Sequence, residues 1–166
     1  ALFQTDYWNY RMFKTISEND KKPVSPGTLG ILTNPDHPMF KDFPTDMHTN
    51  WQWFPIIKQS YPLILDRMQP EYRPIVQVID NVERNHKLGL IFEFQVDNGK
   101  LLVCMSDLNA VMDKPETKQL YHSMLNYMNS NDFRPQSKIS IESLESLFSA
   151  VFTNNKLEIL ENISYK

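Results

Sequence analysis

The stretch from Leu88 to Leu108, LGLIFEFQVDNGKLLVCMSDL, limits what this chain can fold into more than any other part of it. Leu88, Leu90, Phe92, Phe94 and Val96 recur at every second position, the period of a strand that presents one apolar face. Asn98-Gly99 interrupts the alternation, and Leu101, Val103 and Met105 resume it. Asn-Gly between two alternating runs predicts a β-hairpin closed by a type I′ turn. An isolated hairpin is marginal in water, so this one calls for a larger sheet and for something packed on its apolar face.

The remaining segments supply those partners. Thr28 to Thr33 is a short apolar strand candidate ended by the turn Asn34-Pro35-Asp36. Ile75 to Ile79 is a second strand candidate. Thr45 can cap a helix running to about Phe54, which would put Met47, Trp51 and Phe54 on one core-facing stripe and turn Trp53 toward solvent. Pro55 limits that helix. Asp113 and Glu116, with Pro115 between them, predict a helix start with Leu120, Met124, Tyr127 and Met128 inward. Ser140 caps a last helix with Leu144, Leu147, Phe148 and Val151 on one stripe. The sum is an α/β fold, one sheet with a β-hairpin and helices packed on it. The expected organisation is a single domain: an aromatic arm and loop over 1–26, an α/β core over 27–152 and a tail over 153–166. Ser17 to Pro26 reads as surface loop.

Composition excludes several classes. At 166 residues, the chain can bury one core, not several. A net charge of −3 with scattered Lys and Arg gives no basic footprint for nucleic acid. No apolar run reaches membrane-spanning length. The lone Cys104 excludes an internal disulfide framework. The four histidines, His37, His48, His86 and His122, lack metal-ligand spacing, so neither metal nor cofactor is expected. His37 reads as a turn residue bonding nearby backbone, and His86 and His122 as solvated.

Two segments carry a family resemblance. PGTLGILTNPDHPMFKDFPTDMHTNWQW (Pro26 to Trp53) and RPIVQVIDNVERNHKLGLIFEFQVDNGKLLVC (Arg73 to Cys104) resemble the C-terminal region of large family-2 glycoside hydrolases, the β-galactosidase and β-glucuronidase relatives. The shared order is a Gly-Ile-Leu strand, a D-x-HP turn, an FPT-x-x-H-x-N-WQW segment, a P-I-V-x-x-x-D-N strand and a GKLLVC strand. The resemblance runs from about Tyr7 to Arg134, and the ending resembles part of a glutamine-amidotransferase-like (flavodoxin-like) fold. It implies a piece of a longer, periplasmic or extracellular protein whose catalytic modules lie elsewhere and are this domain's partners.

Chemistry has few places to sit. A glycosidase needs two facing carboxylates. Glu93 alone stands out, mid-strand on the face of Gly89 and Ile91, and it reads as a paired or partly solvated sheet glutamate. Cys104 lies between bulky strand neighbours rather than at a sharp glycine turn, the wrong place for a nucleophile. Sugar recognition is the serious candidate, because sugar rings stack on aromatics while their hydroxyls seek amide, carboxylate or guanidinium groups. His48, Asn50, Gln52 and Trp53 offer such groups within six positions, and Asp80, Asn81 and Arg84 follow a strand end. The competing reading packs the tryptophans into a core and uses the polar groups to tie loops. The expectation is a non-catalytic accessory domain of a glycoside hydrolase, structural or carbohydrate-binding. A free-standing carbohydrate-binding protein is the alternative, and a small hydrolase the distant one.

Overall fold

The computed structural model describes residues 28–81 and 85–149, together with two short strands before them. Those strands, β1 (Thr15–Ile16) and β2 (Pro23–Val24), pair antiparallel, so the expected loop over Ser17 to Pro26 contains a strand. The expected aromatic arm, Val151 and the tail fall outside the described residues.

The fold is α/β, a six-stranded open sheet with helices packed on it. The strands are β3 (Ile31–Thr33), β4 (Leu63–Ile64), β5 (Val76–Ile79), β6 (Lys87–Val96), β7 (Gly99–Cys104) and β8 (Lys138–Ile139). The ten-residue β6 is the spine. Leu88 pairs with Val78 of β5 on one side and Ile64 of β4 on the other, while Gln95 pairs with Lys100 of β7 and Lys138 of β8. Ile91 touches both β5 and β7, which places β5 and β8 along one edge of β6 and β4 and β7 along the other. All these pairings are antiparallel except β6 with β8. A flavodoxin-like sheet is parallel, so the likeness to that fold is confined to the long hairpin running on into a helix.

The hairpin forms as the alternation predicts, but its turn is Asp97-Asn98, with Val96 opposite Gly99. Asp97 alone of the two turn residues takes positive φ (49°), whereas a type I′ turn needs it at both. A second departure reorganises the core. Gly89 pairs with Gln77 and Ile91 with Val76, leaving Leu90 as an extra residue on β6, a β-bulge. The bulge reverses side-chain parity. Leu88, Leu90 and Ile91 join one core, whereas Phe92 and Phe94 join the other. The single apolar face expected from Leu88 to Val96 is therefore divided between both faces of the sheet. Gly89, expected beside Ile91, instead faces Leu65 and Phe92.

The larger core is closed by α1 (Phe54–Lys58), α2 (Pro115–Met128) and the 3-10 turn Pro38–Phe40. Helix α2 buries Leu120, Met124 and Tyr127 as expected, but Met128 is exposed. It begins at Pro115 with no side-chain cap, because the N-cap position falls on Lys114, which carries no acceptor; Asp113, one residue further out, pairs with the Lys114 ammonium at 2.7 Å. Ser123 Oγ donates to Met39 O, Gln119 Nε2 to Asp42 O (2.6 Å) and Asn126 Nδ2 to Asp42 Oδ2 (2.7 Å), fixing α2 on the turn beneath it. The smaller core is covered by α3 (Ile141–Ser149) through Leu147, with Leu144 partly buried and Phe148 exposed. Ser140 caps α3, its Oγ accepting from Ser143 N at 3.2 Å.

Candidate functional site

The segment from Pro44 to Phe54 takes a different form from the helix its spacing predicts. Residues 46–49 run extended along the outer edge of β3: Thr33 N donates to Met47 O (3.1 Å), Ile31 N to Thr49 Oγ1 (2.8 Å), and His48 bridges Leu32. This covers an edge that would otherwise expose unpaired backbone. Only at Trp51–Trp53 does a 3-10 turn begin, and α1 continues it with Pro55 in its first turn, where a missing N–H costs nothing. Met47, Trp51 and Phe54 never share one helical face. They are 63%, 78% and 40% exposed, and the Trp51 and Phe54 rings lie 5.8 Å apart.

Trp53 is the buried tryptophan, at 0% exposure, reversing the sequence expectation. Its indole meets Phe40 and Phe43 edge-on at 6.2 and 5.3 Å, and Nε1 donates to Thr45 Oγ1 at 2.7 Å. Thr45 thus satisfies the indole instead of capping a helix. A ring closed on all sides stacks on no sugar, so Trp53 leaves the set of candidate ligand contacts. Three of its neighbours brace the same segment. His48 Nδ1 lies 3.0 Å from Thr49 O, Asn50 Nδ2 donates to Asp46 Oδ2 (3.0 Å), and Gln52 Nε2 donates to Pro44 O (2.9 Å).

Asp80 and Asn81 lie at the far end of β5, on the inner side of β3, and are buried. Asp80 organises the turn that follows: Oδ1 accepts from Asn81 N (2.9 Å) and Oδ2 from His86 N (3.0 Å). Arg84 falls outside the described residues. His86, expected to be solvated, has a side chain only 9% exposed, with Nδ1 2.7 Å from Asp66 Oδ2. The two halves of the sequence-predicted site therefore flank β3 from opposite sides, each bracing its own loop.

Of the other candidates, Glu93 is the paired sheet glutamate expected of it. Its Oε2 accepts from Tyr127 Oη at 2.7 Å. Burial pushes its carboxyl above the ordinary range, and the Tyr127 hydrogen bond partly offsets this. The Tyr127 ring meets His37 at 5.3 Å. His37 Nδ1 accepts from Met39 N (3.2 Å), the backbone-bonding turn role expected of it. Burial pushes the Cys104 thiol up to about 11, so it stays protonated and unreactive near neutral pH. Among the described residues no group of three His, Cys, Asp or Glu is placed to hold a metal ion. No helix among them is long and apolar enough to cross a membrane.

Two concave features lie on the face opposite α2. A depression of about 600 Å³ over β3 and β5 is floored by Leu32 and Gln77 and rimmed by Arg73 and Lys87. Both cations are already engaged: Arg73 Nη1 donates to Pro70 O and Tyr72 O, and Lys87 Nζ to Gln69 O and Pro70 O. A cleft of about 570 Å³ opens between the loop over 67–72 and the β8–α3 segment, with Arg67 and Gln69 on one wall and Gln136, Lys138 and Ser143 on the other. Sequence reasoning missed this cleft. Its walls are about 70 positions apart, and the only local signal was the spacing of Ser140, Ser143 and Ser146 along one helical face.

No curated protein matches the chain. One family model does, described as "Domain of unknown function (DUF8487)", and it spans residues 1–149, with α1, α2 and α3 included. The chain belongs to this DUF8487 family.

Proposed function

We propose that this chain is a non-catalytic accessory domain of a periplasmic or extracellular glycoside hydrolase and that it contributes a carbohydrate contact. The observation that carries this reading is Trp51, a 78% exposed indole on the 3-10 turn that follows the strip edging the sheet. Exposed flat aromatics are costly to hydrate, and the C–H faces of sugar rings pack well on them. His48, Asn50 and Gln52 beside it supply imidazole and amide groups suited to sugar hydroxyls. The family-2 likeness of the segment from Pro26 to Trp53 supplies the polysaccharide setting.

The test is a tryptophan-fluorescence titration with neutral galactosides and plant-wall oligosaccharides, wild type beside Trp51→Ala. Saturation in the millimolar range or tighter, lost in the variant, is the expected result. A flat response to every sugar removes the carbohydrate contact. A second reading has its own observation: Met47 and Phe54 widen the patch beyond a single ring, as a surface that packs on a catalytic module would require. Sedimentation of the domain mixed with the catalytic modules of its parent separates the two, since only packing produces a faster-sedimenting complex.

A further inference from the structure

We infer that the cleft between the 67–72 loop and α3 is a binding site for an acidic saccharide, a sugar unit carrying a carboxylate or a sulfate. The saccharide part rests on the carbohydrate reading above; the anionic part rests on the cleft alone. Its volume of about 570 Å³ falls in the range of small-molecule sites. Among the described residues that line it, Arg67 and Lys138 are cationic and none is acidic, in a chain whose net charge is −3. Unlike Arg73 and Lys87 in the neighbouring depression, Lys138 has no hydrogen-bond or ion-pair partner among the described residues. Its ammonium is available to an oxyanion. Gln69, Gln136 and Ser143 add amide and hydroxyl groups of the kind that pair with sugar hydroxyls.

Both walls are held in place before any ligand arrives. On the loop side, Tyr72 stacks on Phe94 at 5.0 Å and donates to Glu93 O (3.1 Å), while Lys87 ties down two loop carbonyls. On the other side, Gln95 N donates to Ser137 O (2.8 Å), Lys138 is paired to β6, and Leu147 anchors α3 in the smaller core. A pre-formed site avoids the ordering cost that weakens binding to loose loops.

Calorimetric titration tests the inference with three probes: a hexuronic acid disaccharide, a neutral disaccharide of the same ring number, and inorganic sulfate. Wild type, Lys138→Gln, Arg67→Gln and Trp51→Ala are compared at low and high salt. The expected result is binding of the acidic disaccharide, weakened about tenfold or more by either cleft substitution and by salt, and spared by Trp51→Ala. Sulfate is expected to compete with it, and the neutral sugar to bind at least about tenfold more weakly. Two exposed positions are probed separately, so a misfolded variant at one leaves the other decisive. Equal affinity for acidic and neutral sugars, unchanged by both cleft variants but lost in Trp51→Ala, would overturn the cleft and keep the carbohydrate reading. Sulfate binding in the cleft without any sugar binding would overturn both.

Discussion

Among the described residues, nineteen buried ones pack together on the α2 side of the sheet, from β3, β5 and β6 to Trp53 and Tyr127; on the α3 side, seven do, and a cleft lies beside them. The same spine strand serves both sides, so the contrast comes from what covers it. Helix α2 has fourteen residues and is hydrogen-bonded to the turn beneath it, whereas α3 has nine and seats one fully buried side chain, Leu147. The deeper side holds the structure together. The shallower side keeps polar and cationic groups at its surface, where a ligand can reach them.

The widest separation expected is between the two neighbouring tryptophans. Trp53→Ala empties the centre of the larger core and strands the Thr45 hydroxyl, and should cost about 3–5 kcal/mol in denaturant unfolding. Trp51→Ala, two positions away, should stay within about 0.5 kcal/mol. Similar losses at both sites would break the distinction between core and surface ring. A smaller effect tests the α3 side. A Cβ at Gly89 would lie 2.5 Å from Leu65 Cδ1 and 2.9 Å from Phe92 Cδ1, so Gly89→Val should cost about 1–3 kcal/mol in thermal unfolding. A neutral outcome would mean that the smaller core yields easily, and the cleft walls with it.

The smallest effect concerns pH on the α2 side. Burial raises the Glu93 carboxyl above its ordinary 4.5, so the folded state holds that proton more tightly than the unfolded chain does. The stability linked to this group is full below the ordinary value and is lost as pH rises through the raised one. Glu93→Gln keeps an acceptor for Tyr127 but does not titrate. Its stability relative to wild type should therefore improve between about pH 4 and pH 7, measured by paired denaturant titrations. A constant gap across that range would show that the carboxyl is well solvated.

The parts legible in the sequence were those whose cause is local. Alternation and turn residues were enough for the hairpin, and amphipathic spacing for α2 and α3. The bulge was hidden, because the extra residue at Leu90 switches the face that the later residues of β6 take while apolar residues still recur at every second position in the sequence. The tryptophans were assigned the wrong way round for a non-local reason. Residues 46–49 pair with β3, so the helical turn starts at Trp51, and Phe40 and Phe43 take in the second ring rather than the first. Of the predicted site, His48, Asn50 and Gln52 do lie together. Asp80 and Asn81 turned out to shape a loop, because a buried carboxylate after a strand is as useful to backbone N–H groups as to a ligand. The cleft was invisible because its walls meet only in three dimensions.

Strand β6 is flanked along both edges, by β5 and then β8 on one side and by β4 and then β7 on the other. Those of its amides that bond to β5 can exchange with solvent deuterium only when the central pair of strands comes apart, whereas β3 can detach without exposing them. β6 therefore sets the slowest clock in the molecule. Its exchange lifetimes should report the free energy of global opening, while those of the 46–49 strip report a separate and cheaper motion.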